Sequence, residues 1–104
     1  MAVCSDEDRA EALRALPGWG YDADARAIRR SLRFRDFPEA FAFMTRVALE
    51  AEKADHHPDW SNVWNRVDIA LSTHSEGGVT PRDFALASRI DAISAQLALP
   101  AGDH

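Results

Sequence analysis

Trp60-Ser61-Asn62-Val63-Trp64-Asn65-Arg66-Val67-Asp68-Ile69-Ala70-Leu71-Ser72-Thr73 holds two alternating runs, Trp60-x-Asn62-x-Trp64 and Val67-x-Ile69-x-Leu71-x-Thr73. Alternation at period two marks a strand with one face buried, so the stretch predicts a β-hairpin turning at Asn65-Arg66. On its second strand Asp68, Ala70, Ser72 and His74 share the face opposite Ile69 and Leu71, which takes His74 away from the core side. Upstream, Ile28-x-Arg30-x-Leu32-x-Phe34 repeats the strand pattern, with Trp19-Gly20-Tyr21 as a short strand before the turn Asp22-Ala23-Asp24.

Between these strand pairs lies the main helical pattern, opened by Asp36 or Phe37-Pro38 with the proline near the first helical position, where its missing N–H costs nothing. Phe37, Phe41, Met44, Ala48 and Ala51 mark its apolar face at spacings of three and four. Phe43, Val47 and Leu49 widen the apolar surface, which predicts cover on two sides, one of them another subunit. A first helix starts at the N-cap Ser5 with Asp6, Glu7 and Asp8 in its first turn; Ala10, Leu13 and Leu16 form its stripe, and Pro17-Gly18 closes it. A last helix starts at Thr80-Pro81-Arg82-Asp83 as N-cap, N1 proline and N3 acid, and buries Phe84, Ala87, Ile90, Ile93 and Leu97. Pro100 to His104 reads as a frayed tail. The order α-β-β-α-β-β-α, with antiparallel hairpins and helices on one face, is that of an α+β two-layer sandwich.

A chain of 104 residues predicts one domain, 1–104, with a modest core. No apolar run approaches the roughly 18 residues needed to span a bilayer, and the start lacks the basic and apolar regions of a secretory signal. A single cysteine makes no internal disulfide, which agrees with a reducing cytoplasm. Cys4 has no adjacent His or Lys to activate it as a nucleophile. A net charge of −5 argues against direct nucleic-acid binding. Arg26, Arg29, Arg30, Arg33 and Arg35 then read as the solvated face and rim of a strand.

Chemistry concentrates in Glu52-Lys53-Ala54-Asp55-His56-His57-Pro58-Asp59-Trp60, between the main helix and the hairpin, and in His74 at the end of a strand. Histidine both donates and accepts protons near neutral pH, so imidazoles beside carboxylates suit proton transfer. A metal site is disfavoured: adjacent histidines on an extended segment point apart, and the chain has no His-x3-His helical pair. Taken singly, His56-His57 is a polar loop after a helix and His74 a strand-end surface residue.

Their spacing together is more specific. Glu52-x3-His56-His57-Pro58, the aromatic Trp60, Asn62-Val63-x-Asn65-x-Val67 and Thr73-His74-x2-Gly77-Gly78-x-Thr80-x2-Asp83 resemble the signature of pterin-4a-carbinolamine dehydratases. The flank Phe34-Arg35-Asp36-Phe37-x3-Phe41-x-Phe43-Met44 extends the resemblance, which runs from about Leu16 to Ile93. It implies a four-stranded sheet with three helices and a reaction that dehydrates 4a-hydroxytetrahydropterin to quinonoid dihydropterin and water, recycling the cofactor of aromatic amino acid hydroxylases. It also implies that His56 and His74 are general acids on opposite faces of the pterin and that His57 chiefly binds substrate. Loss of water requires neither a redox cofactor nor a metal. Glu52, Asp55, Trp60 and Asp83 are the candidate substrate-binding residues: Glu52 and Asp55 to orient or charge-tune the histidines, Trp60 to stack or to pack, Asp83 at a family position that equally completes a helix cap. The expected partners are the pterin, copies of the chain in a tetramer or dimer, and a hydroxylase. The rival reading is a dimerisation module for a transcription factor.

Overall fold

The computed structural model describes residues 2–97, and the tail from Pro100 to His104 lies outside them. The chain runs α1 (Asp6–Arg14), β1 (Gly20–Asp22), β2 (Ala27–Arg33), α2 (Phe37–Ala54), β3 (Asp59–Val63), β4 (Arg66–Leu71), a single 3₁₀ turn (His74–Glu76) and α3 (Pro81–Leu97). The strands form one antiparallel sheet in the order β1-β2-β4-β3. This is the α+β sandwich expected from the alternation.

Register decides which side chains meet. Ile28 pairs with Leu71, Leu32 with Val67, and Trp60 with Ile69, so these side chains share the face that the helices cover. With Phe43, Val47, Leu86 and Ile90 from the helices they make the core. The other face carries Arg29, Ser31, Asp68 and Ser61, joined in part by a 2.5 Å hydrogen bond from the Ser31 hydroxyl to Asp68. Arg30 departs from the expected solvated arginine row: its position opposite Ile69 turns it to the covered side, where it pairs with Asp91 of α3. The Trp19 indole N–H also donates to Asp91, at 2.8 Å, tying the start of the sheet to α3.

Three local expectations need correction. The hairpin turns at Trp64-Asn65 rather than Asn65-Arg66, because Val63 pairs with Arg66. Trp64 takes the positive φ of 49° that this turn needs and stands 63% exposed. On α2 the buried stripe is Ala40, Phe43, Val47 and Ala51, while Phe37, Phe41, Ala48 and Leu49 remain exposed. The core face is thus rotated by roughly a quarter turn from the stripe read first. Helix α1 ends at Arg14, before Pro17-Gly18, and its own residues are not fully buried.

The helix ends that frame the site are built locally. Asp36 caps α2 by accepting from the Glu39 N–H, and Asp55 closes it in the left-handed conformation, with its N–H on the Ala51 and Glu52 carbonyls. The chain therefore leaves α2 sharply just before His56 and His57. A bridge from Thr73 to Gly78 closes the 3₁₀ turn at His74, with Gly77 at a φ of 77°.

Candidate active site

His56 is 7% exposed, and its Nε2 lies 2.5 Å from Asp83 Oδ1. Asp83 has no solvent exposure, so its carboxylate needs protein donors. Two more arrive at Oδ2, the Thr73 hydroxyl at 2.9 Å and the Thr80 backbone N–H at 2.9 Å. Because the Thr73 hydroxyl donates to Asp83, its oxygen accepts from the Thr80 hydroxyl, 2.7 Å away. Thr80 in turn accepts from the Arg82 N–H at 3.2 Å. Asp83 thus completes the capping box of α3 and orients His56 with the same carboxylate. With Nε2 engaged by Asp83, Nδ1 is the ring atom left for exchange with a ligand.

The other two histidines follow the same pairing at the surface. His57 Nε2 donates to Glu52 Oε1 at 2.9 Å, one turn back on α2, and His74 Nε2 donates to Asp59 Oδ2 at 3.2 Å. His74 is 74% exposed in its side chain. All three pairs sit at one end of the molecule. Asp59 opens β3 two residues after His57, and Thr73, the neighbour of His74, is bonded to the carboxylate that holds His56.

Among the residues singled out from sequence, Glu52 therefore lies on His57 and Asp83 on His56. Asp55 serves the backbone instead: its side chain makes no hydrogen bond to a histidine among the described residues, while its carbonyl accepts from Arg82 Nη2 at 2.7 Å. Trp60 is partly buried against the core and also borders a depression beside His74. Asp59 and Arg82 were missed. A carboxylate three residues after His56 was a visible signal for Asp59, but its pairing with His74 depends on the hairpin register. Cys4 lies half-buried; burial, then Asp8 and Asp83, push its thiol above the ordinary value, which opposes a nucleophilic role.

Two hollows adjoin these groups. One, of about 480 Å³, lies between α2 and α3 and is lined by His56, Lys53, Arg82 and Arg89. The other, of about 270 Å³, lies on the uncovered sheet face and is lined by His74, Asp59, Asp68 and Arg29. Among the described residues no three His, Cys, Asp or Glu side chains converge as metal ligands. None of the described helices is long and apolar enough to cross a membrane.

The fold and this histidine cluster define an α+β domain of the pterin dehydratase class. The family described as Pterin 4 alpha carbinolamine dehydratase matches residues 2–93. A relative from Rhizorhabdus wittichii, provisionally named pterin-4-alpha-carbinolamine dehydratase, is 63% identical over 90 residues, covering 86% of this chain and 93% of its own. A similarly named Rhodopseudomonas palustris protein is 57% identical, covering 89% of this chain and 92% of its own. The crystal structure of a transcriptional coactivator/pterin dehydratase from Brucella melitensis superposes with a TM-score of 0.85 at 50% identity, over 88% of this chain and 97% of that one. A pterin dehydratase-like RuBisCO assembly factor of the alpha-carboxysome shares the fold, with a TM-score of 0.64 at 22% identity over 74% of this chain and 89% of its own. The chain belongs to the pterin-4a-carbinolamine dehydratase family.

Proposed function

We propose that this chain dehydrates a 4a-hydroxytetrahydropterin by histidine acid–base catalysis, and so recycles the pterin cofactor of aromatic amino acid hydroxylases. The observation that carries the reading is the buried Asp83–His56 pair, an oriented imidazole with one nitrogen left for substrate. In the reaction the C4a–O bond breaks as the hydroxyl takes a proton and leaves as water. N5 gives up its proton, and its electrons form the C4a=N5 bond. The atoms balance without an electron acceptor.

His56 and His74 are the proton-transferring residues, and His57, with Glu52 behind it, binds substrate. That Thr73, the neighbour of His74, is bonded to the carboxylate that holds His56 supports their acting on one flat ring. The test is a set of initial rates for His56→Ala, His57→Ala and His74→Ala on both 4a-hydroxy stereoisomers. Loss of His56 or His74 lowers turnover by roughly 10²- to 10⁴-fold for the isomer that each serves, while loss of His57 raises KM. Near-wild-type rates for all three variants on both isomers remove the enzymatic reading.

A second reading has its own observation. Phe37 and Phe41, with ring centroids 5.7 Å apart, stand exposed on α2 beside the core stripe. They favour a homo-oligomer through this helix, and the same face suits a dimerisation module for another protein. The two roles use different surfaces and can coexist.

A further inference from the structure

The hollow at His56 has a floor of small apolar groups, Ala54, Ala85 and Leu86, under a charged rim. Its cations are anchored from within. Glu50 Oε1 accepts from Arg89 Nη2 at 2.6 Å, and Glu50 Oε2 lies 3.7 Å from Lys53 Nζ. The Glu50 side chain is 24% exposed against 73% for Lys53 and 62% for Arg89, so the carboxylate is the pedestal and the cations form the lip. Arg82 is held by the Asp55 carbonyl, which fixes the guanidinium without neutralising it. Three cations against one lining carboxylate leave this wall at +2, on a chain whose net charge is −5. The hollow at His74 has the opposite balance: Asp59 and Asp68 face Arg29, and Arg29 already pairs with Asp22. A cleft lined by one sign of charge concentrates ligands of the other sign, and cations held in place lose less side-chain entropy on binding.

We propose that the groove between α2 and α3 binds an anionic group, a carboxylate or a phosphate, on the side chain of the pterin that His56 acts on. This assignment of substrate class rests on the dehydratase reading above. Lys53 and Arg89 meet the anion from the lip, and Arg82 meets it from the first turn of α3.

Calorimetric titration of the intact protein with 7,8-dihydropterins bearing a methyl, a carboxylate chain or a phosphate chain at C6 tests this at low and at high salt. The charged compounds bind roughly 3- to 10-fold tighter than the methyl compound at low salt, and the ratio falls toward one at high salt. The carboxylate and phosphate arms decide which anion the groove prefers. In the Lys53→Gln/Arg89→Gln variant the ratio also falls toward one. Equal affinity for charged and methyl compounds in the wild type, or a ratio unmoved by salt, overturns the proposal even if the double variant fails to fold. A ratio that survives in a folded double variant overturns it too. Dehydration rates on the 4a-hydroxy methyl compound are read in parallel. Their absence removes the dehydratase reading, whereas the affinity ratio still decides whether the groove takes an anion.

Discussion

Asp83 joins two tasks that the sequence shows as one. Thr80-x2-Asp83 reads as a cap, but the carboxylate also receives His56 and Thr73 from outside the helix. Replacing Asp83 with Ala leaves three buried donors without an acceptor, which costs roughly 3–5 kcal/mol of folding stability, read as a lower denaturant midpoint. The solvent-exposed His74→Ala changes stability by no more than about 0.5 kcal/mol, although the proposed mechanism gives it a large effect on rate. Equal midpoints for the wild type and Asp83→Ala would refute the buried network. Trp64 offers the opposite case. Its exposed indole contributes little packing, while its backbone holds a conformation that L residues rarely adopt. Trp64→Gly relieves that strain and raises stability by up to about 1 kcal/mol, a gain that a thermal melt detects.

At the scale of elements, hydrophobic spacing located every helix but chose the wrong face of α2. The helix is apolar over adjacent stripes, Phe37-Phe41-Met44-Ala48 and Ala40-Phe43-Val47, and spacing alone does not say which one meets the sheet. Phe43, packed on Phe34 with centroids 4.8 Å apart, is the anchor. Phe43→Ala therefore costs about 3–5 kcal/mol, against a far smaller loss for the exposed Phe41→Ala in the isolated chain. Comparable losses would reverse the assignment of faces. The contact between α2 and α3 is also acid-sensitive. The hydrogen bond from Arg89 holds Glu50 below its ordinary value of 4.5. A carboxylate with a lowered folded value stabilises above its unfolded value and loses that contribution as pH falls through the folded one. The melting temperature of Glu50→Gln accordingly lies below that of wild type at neutral pH, and the difference closes well below pH 4.5. A constant difference across that range would mean that the pair does not titrate.

Across the whole molecule, alternation gave the sheet and its class, because Val67, Ile69 and Leu71 admit only one inward face. The His74–Asp59 contact was not legible, since it arises from strand pairing and a turn displaced by one residue. The exposed Phe37 and Phe41 predict self-association, and light scattering at micromolar concentration is expected to report more than one chain. Phe41→Glu shifts that population toward the monomer; a wild type monomeric at every accessible concentration would eliminate this interface.

The strand order also sets a sequence of events in time. β1 with β2 and β3 with β4 close as local hairpins, whereas the central β2–β4 ladder joins residues separated by all of α2. Distant pairing is the slow part of folding, so docking of the two hairpins is expected to limit the rate. Leu71→Ala, at the ladder's end opposite Ile28, then slows refolding in stopped-flow experiments, while Asp59→Ala leaves the rate unchanged. His74, just beyond the second hairpin, is expected to reach Asp59 before this step, and His56 to reach Asp83 only when α3 settles against α2. On that order the histidine–carboxylate pairs form one at a time, with the solvent-shielded pair last.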